Sequence, residues 1–283
     1  MLTIEKKVIF LDVDGTILME DGTVPESTVT ACQQARKNGH LVFLCTGRSK
    51  VALYPNIIEI GFDGIIGGAG VFAEINGESL FQKTLTVAQV KELVDVFNKK
   101  GIEFMIETNE RMYGNPSLKE HYLKIIEEDL KNGEFSDITQ HPLQHLIEIT
   151  SFDEESLYRD DINKICFMEH KEIPYQYIAD TFGDKLTVVP TSFAKFGAEG
   201  GEISGLGIHK AAGIQAVLEH LGLSKEQTIA IGDGINDLEM LQFCQIGIAM
   251  GNAKEELKDV ADEVTSRIED DGVYQSFKKH GLI

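Results

Sequence analysis

The chain has 283 residues, 42% of them hydrophobic and 25% charged, and a formal net charge of −20. That is enough apolar material for a full core and enough length for two modest domains. The acidity excludes nucleic acid and anionic membrane surfaces as expected partners, because both select basic proteins, and no stretch approaches the ~20 consecutive apolar residues of a membrane span.

Two lysines, Lys6 and Lys7, precede an apolar run over residues 8–11 that breaks off in Asp12-Val13-Asp14-Gly15-Thr16. This is the pattern of a buried parallel strand followed by a tight loop, not of a signal peptide. Residues 25–38 predict a helix, with Pro25 near its start, an apolar stripe of Val29, Cys32 and Ala35, and Gly39 as the stop. A second buried strand over 41–45 ends in Thr46-Gly47-Arg48, and a third begins at 64–66. The succession βαβαβ predicts an α/β fold with a doubly wound, Rossmann-like parallel sheet. Residues 71–82 interrupt it with two strand-like runs around Asn76-Gly77, a type I′ hairpin signal expected to lead the chain out of the sheet.

From Thr86 the texture changes. Thr86 and Gln89 make a capping box for a helix to Lys100, which Gly101 ends. Strands are expected at 103–107, 146–150 and 164–169, with a long charged helix over 117–132. This α+β stretch is expected to be a domain inserted over 84–189, into a core formed by 1–83 and 190–283. The glycines from Gly197 to Gly207 lack the ending of a nucleotide-binding loop and predict a plain loop into a helix over 208–221. Ser224 and Gln227 box a short turn, residues 228–231 make an apolar strand ending in Gly232-Asp233, a helix covers 235–243, and 246–250 is one more buried strand. Glu269-Asp270-Asp271-Gly272 reads as the cap of a terminal helix.

The cysteines Cys32, Cys45, Cys166 and Cys244 show no metal or redox spacing, so free thiols in a cytoplasmic protein are expected. His141 and His145 are four residues apart, but Pro142 follows the first and no acidic base lies between them, so zinc is not expected.

Four segments stand at or beside the carboxyl ends of predicted strands, where open α/β sheets bind ligands. They are Asp12 to Thr16, Thr46-Gly47-Arg48, Lys210, and Gly232-Asp233-Gly234-Ile235-Asn236-Asp237. Phosphoryl transfer needs a nucleophile, a proton donor for the leaving oxygen, and charge or hydrogen bonds for the equatorial oxygens. Asp12, at a strand end, suits attack on phosphorus, and Asp14 can swing to the opposite side of the phosphoryl group. These carboxylates and Asp233 would repel one another without a cation, and oxygen donors favour Mg²⁺. Asp12 and Asp233 are the first choices as ligands, with the Asp14 carbonyl facing the metal. Asp237 would ligate directly or through water, with Asn236 as its hydrogen-bonding neighbour. The Thr46 hydroxyl and Gly47 N–H would donate to phosphoryl oxygens, and Lys210 would neutralise the nucleophile and one of them. Arg48 either contacts substrate or pairs with an acid near the pocket mouth. A lone D-x-D is weak on an acidic surface, and a helical lysine is commonly solvated; the ordered set of four carries the weight.

This set resembles the haloacid dehalogenase (HAD) superfamily, whose motifs are D-x-D-G-T, a strand-end Thr or Ser, a downstream Lys, and G-D-x-x-x-D. The insertion between the second and third motifs, with GDGINDLEM and AMGNA, resembles its Cof-type IIB branch with a C2 cap. The resemblance implies that Asp12 is the nucleophile, Asp14 the acid and then base, and Thr46 and Lys210 the phosphate binders. Mg²⁺ would sit on Asp12, the Asp14 carbonyl and Asp233. Residues 84–189 would be the α+β cap that selects a small phosphorylated metabolite, such as a sugar phosphate or pyridoxal phosphate. Gly67-Gly68-Ala69 departs from the Asn-Gly-Ala turn usual in that branch. The rival activity is phosphotransfer, as in phosphomutases of similar fold; the non-enzymatic rival is a phosphate-sensing or binding-only module. No feature of the sequence indicates an oligomeric state.

Overall fold

The computed structural model describes residues 6–191 and 194–283. Its first elements are β1 (Val8–Leu11), α1 (Glu26–Lys37), β2 (Leu41–Cys45), α2 (Pro55–Ile58), β3 (Gly64–Gly67), β4 (Phe72–Ile75) and β5 (Glu78–Gln82). There follow α3 (Val87–Lys100), β6 (Phe104–Glu107), β7 (Met112–Gly114), α4 (Pro116–Asn132), α5 (Pro142–Ile149), β8 (Thr150–Ser151), β9 (Lys164–Phe167), α6 (Tyr175–Phe182), β10 (Leu186–Pro190) and β11 (Gly201–Gly205). The chain ends with α7 (Lys210–Leu221), β12 (Thr228–Gly232), α8 (Leu238–Phe243), β13 (Ile246–Ala249), α9 (Glu255–Lys258), β14 (Glu263–Val264) and α10 (Gly272–Lys279). Two compact units result, one from residues up to 48, 52–82 and 208–283, the other from 49–51 and 83–207. Among the described residues no helix is long and apolar enough to cross a membrane.

The first unit is an α/β layer structure around one sheet, ordered β14-β13-β12-β1-β2-β3-β4-β5. From β14 to β3 the pairing is parallel. Strands buried on both faces need apolar side chains at every position, which is why β1 reads VIFL. Ile9, Leu11, Val42 and Ile231 pack on one face with Ala31, Cys32 and Ala35 of α1 and Phe277 of α10. Phe10, Phe43 and Ala230 pack on the other with Ile214 and Val217 of α7 and Met240 of α8. The strand order runs outward in both directions from β1 and β12, so the switch point, and the crevice it opens, lies at their carboxyl ends.

The hairpin differs from expectation. Asn76 (φ 50°) and Gly77 (φ 82°) make the turn that their sequence demands. Instead of leaving the sheet, however, β4 and β5 extend it as an antiparallel edge. The reversal is made by Gly68, Ala69 and Gly70, all at positive φ. At the far end of the chain, Asp271 stands at the start of α10 but its carboxylate accepts the Ser27 hydroxyl at 2.5 Å instead of capping the helix.

The second unit is α+β, with a six-stranded sheet ordered β10-β11-β9-β6-β7-β8. Phe104, Ile106, Ile165, Phe167 and Ile203 form its apolar face against Val94 and Phe97 of α3 and Ile178 and Phe182 of α6. The strand expected over 146–150 is helical up to Ile149. His141 caps α5 by accepting the Leu143 N–H on Nδ1 at 3.1 Å, and Pro142 fills the first helical position, so local capping overrides the β-rich text LIEIT. His141 Nε2 meets Asp129 at 3.0 Å. The boundary expected at 189/190 falls inside β10, which pairs along its whole length with β11. The glycine-rich segment is therefore partly strand, and Gly201 is required there because a Cβ would lie 2.5 Å from the Phe167 ring.

Candidate active site

Asp12 is the first residue beyond β1. Its N–H donates to Ile231 O at 3.0 Å, and it is 4% exposed. Because β1 pairs with both β2 and β12, the residues that follow those strands, Thr46 and Asp233, flank it. Lys210 opens α7, whose N-terminus is capped by His209, and its side chain is fully buried. Its ammonium lies 2.5 Å from Asp12 Oδ1 and 2.5 Å from Asp237 Oδ1. Asp237 Oδ2 accepts the N–H groups of Asp233 and Gly234, each at 3.0 Å. Both Asp237 oxygens are thus engaged by this chain, in holding Lys210 and the 232–234 loop.

Asp12, Asp233 and Asp237 offer carboxylate oxygens that all lie within 4.8 Å of one another. One buried ammonium faces three acids. Burial, and then Asp237, push the Asp12 carboxyl well above the usual carboxylate range. Burial and Asp237 likewise raise Asp233 to about 7. Burial opposes the charge of Lys210, but Asp12 and Asp237 outweigh it and hold the lysine above its ordinary value. The site is short of positive charge, and a hard divalent cation matches the deficit and the all-oxygen donor set. With Asp237 occupied, Asp12 and Asp233 are the carboxylates that fit it.

Gly15 makes the turn after Asp14 at φ +75°, and a Cβ there would stand 2.1 Å from Asp233 Oδ2. The D-x-D-G pattern therefore needs glycine for its backbone and for the approach of that carboxylate. The Thr16 hydroxyl donates to Asp233 Oδ1 at 3.3 Å. Thr46 is fully buried; its Oγ accepts the Arg48 N–H at 3.1 Å, and its carbonyl accepts the Ala69 N–H at 2.9 Å. Gly68 N–H donates to Arg48 O at 2.9 Å, so the 67–70 turn braces the Thr46 loop. A Cβ on Gly67 would lie 2.2 Å from the Phe72 ring and 3.0 Å from Arg48 O. The asparagine usual in the resembling branch would require the Phe72 ring to move.

Of the two expectations for Arg48, the geometry shows the ion pair. Its Nε and Nη2 meet the two oxygens of Asp14 at 2.9 and 2.7 Å, its Nη1 donates to Ala52 O at 2.7 Å, and its guanidinium lies 4.6 Å from the Tyr54 ring centre. Burial disfavours the Arg48 charge, but the bonds to Asp14 more than restore it and raise its pKa. Asp14 itself is exposed and lies outside the cluster of Asp12, Asp233 and Asp237. Asn236 is exposed too, and its amide lies beside Gly47 in the Thr46 loop, since a Cβ on that glycine would meet its Nδ2 at 3.5 Å. The sequence reading gave no separate role to Thr16 or Asn252. Asn252 Nδ2 donates to Gly15 O at 2.8 Å, a contact that only folding reveals.

Residues 9–277 match the family model of haloacid dehalogenase-like hydrolases. The 5-amino-6-(5-phospho-D-ribitylamino)uracil phosphatase YitU of Bacillus subtilis (strain 168) is 27% identical, over 96% of this chain and 97% of its own. A solved structure from Geobacillus kaustophilus HTA426 superposes with a TM-score of 0.79 at 27% identity, covering 99% of this chain and all (100%) of that one. The HAD subclass IIB sugar phosphatase BT4131 shares the fold, with a TM-score of 0.76 at 24% identity over 98% of this chain and 100% of its own. Strand-end acids, buried lysine and full-length similarity agree: the chain belongs to the haloacid dehalogenase-like hydrolases and is a hydrolase of phosphate esters.

Proposed function

We propose that this enzyme is a Mg²⁺-dependent phosphatase of small phosphorylated metabolites, acting through an aspartyl-phosphate on Asp12. The observation that carries the reading is the setting of Asp12, buried at the end of the central strand with the Lys210 ammonium on Oδ1 and Thr46 and Asp233 on the adjacent strand ends. A carboxylate oxygen of Asp12 attacks phosphorus in line as the bond to the leaving oxygen breaks, and Asp14 gives that oxygen its proton. Asp14 then takes a proton from water, which attacks phosphorus and frees Asp12 and inorganic phosphate. The Thr46 oxygen already accepts a backbone N–H, which leaves its O–H to donate to the phosphoryl group together with Gly47 N–H. Asp237 keeps Lys210 aimed at the nucleophile; Arg48 holds both oxygens of Asp14 in the free enzyme, and Asp14 leaves that ion pair to carry the proton. Mg²⁺, when bound by Asp12 and Asp233 with the Asp14 carbonyl, supplies charge against the phosphoryl oxygens.

The second unit takes the part of a C2-type cap that selects the leaving group. A sugar phosphate or related hydroxylated ester is the favoured substrate class, in keeping with the ribityl and sugar phosphates in the relatives' names. The four cysteines are buried and free, in keeping with a cytoplasmic enzyme. The test is turnover of an aryl phosphate with Mg²⁺. EDTA and Asp12→Asn are each expected to abolish it, and activity surviving Asp12→Asn overturns the mechanism. Solvent ¹⁸O in the released phosphate separates hydrolysis from transfer to a second sugar.

A further inference from the structure

Asn252 lies in the turn after β13, and its amide is engaged by three distant segments. Its Nδ2 donates to Gly15 O at 2.8 Å and lies 3.4 Å from Asp233 Oδ2; its Oδ1 accepts the Ile268 N–H at 3.1 Å. Because a backbone N–H can only donate, the Ile268 contact fixes which end of the amide faces Gly15 and Asp233. The turn is itself fixed. Gly251 N–H donates to Ser266 O at 3.0 Å, and a Cβ on Gly251 would fall 2.6 Å from the Arg267 nitrogen. Thr16 reaches the other oxygen of Asp233. Each oxygen of that carboxylate therefore has one neutral side-chain donor, and the two donors come from different loops.

We propose that Asn252 is a positioning residue of the cation centre, holding Asp233 and the Gly15 turn in the arrangement that receives a divalent ion without touching substrate. The proposal rests on the reading of Asp12 and Asp233 as cation ligands. Two buried carboxylates and the half-buried Asp233 repel one another, and a free Asp233 side chain would rotate away from the other two. A lysine in place of Asn252 would hold it, but would also cancel the charge deficit that attracts the cation. An amide holds the carboxylate and leaves the deficit intact. Outer hydrogen-bond partners of this kind set metal affinity by about 10–100-fold.

The experiment is isothermal titration of the metal-free, full-length protein with Mn²⁺ alone, alongside thermal melts. Asn252→Ala is expected to bind Mn²⁺ about 10–100-fold more weakly, while KM for an aryl phosphate at saturating metal stays at the parent value. Asn252→Ser, a residue at home in turns, repeats the measurement if the alanine variant does not fold. A folded variant that binds Mn²⁺ as tightly as the parent overturns the proposal, as does a lowered melting temperature with unchanged affinity, which assigns Asn252 to structure alone. A parent that binds no Mn²⁺ overturns it together with the cation reading. A parent that binds Mn²⁺ but hydrolyses no phosphate ester overturns the mechanism proposed for Asp12 and leaves Asn252 to be judged on affinity.

Discussion

A fully buried lysine between two carboxylates at 2.5 Å has given up its hydration for those contacts. Replacing Lys210 with Met leaves Asp12 and Asp237 facing each other without a counter-charge. Urea denaturation of metal-free Lys210→Met at pH 7 is expected to show a loss of about 3–5 kcal/mol. The double variant Lys210→Met, Asp237→Asn should regain part of that stability but no activity, which separates the structural share of the ion pair from the chemical one. For Asp14, the proposed roles as acid and base predict that Asp14→Asn accumulates phosphoenzyme visible by intact mass; a fully active variant would contradict them. His40 gives a pH effect away from the site. Its Nδ1 accepts the Lys7 N–H at 3.1 Å, its Nε2 has no partner among the described residues, and burial, then Lys7, lower its pKa below the ordinary 6.5. The unfolded chain takes up a proton below that value and the folded one resists it, so the contribution of His40 is complete above about pH 6.5 and is lost as the pH falls. Stability measured between pH 7 and 5 should fall less steeply in His40→Gln than in the parent.

At the scale of elements, the turn over 67–70 is where this chain parts from the branch it resembles. Gly67→Asn is expected to destabilise the fold by about 1–3 kcal/mol through overpacking against Phe72. Pairing it with Phe72→Ala should relieve the clash, which chemical denaturation of the three variants checks. The strands that end in Asp12, Thr46 and Asp233 were legible because doubly buried strands leave an unbroken apolar signature and stop abruptly at polar residues. Residues 146–149 were not, since LIEI suits either period and the deciding facts, a histidine cap and a proline at the first helical position, lie upstream. The pairing of β10 with β11 was missed because glycines that read as a loop are there to admit the Phe167 ring. Within the site, motif spacing named Asp237 as a metal residue, but could not show that both its oxygens are taken by Lys210 and two N–H groups. Asn252 was invisible as a functional residue for the same reason, its partners being Gly15, Asp233 and Ile268.

For the whole molecule, a net charge of −20 acts against the anionic esters it is proposed to hydrolyse. Screening weakens that repulsion, with a Debye length falling from about 30 Å at 0.01 M salt to about 10 Å at 0.1 M. With the metal kept saturating, kcat/KM for a small dianionic ester is expected to rise over that range, and a fall would show that local positive charge governs the approach. The β1–β12 pairing also has a bearing on how the protein is made. Residues 8–11 lie in the middle of the finished sheet, yet one of their two neighbours is residues 228–231. On the ribosome, β1 therefore waits with one edge unpaired while the whole second unit is synthesised, and that unit closes its own sheet over much shorter loops. Asp12 and Thr46 emerge early, Lys210 and Asp233 late. The nascent enzyme cannot assemble its site until residues 228–237 have been translated, and until then the unpaired edge of β1 is a place for chaperone protection of the growing chain.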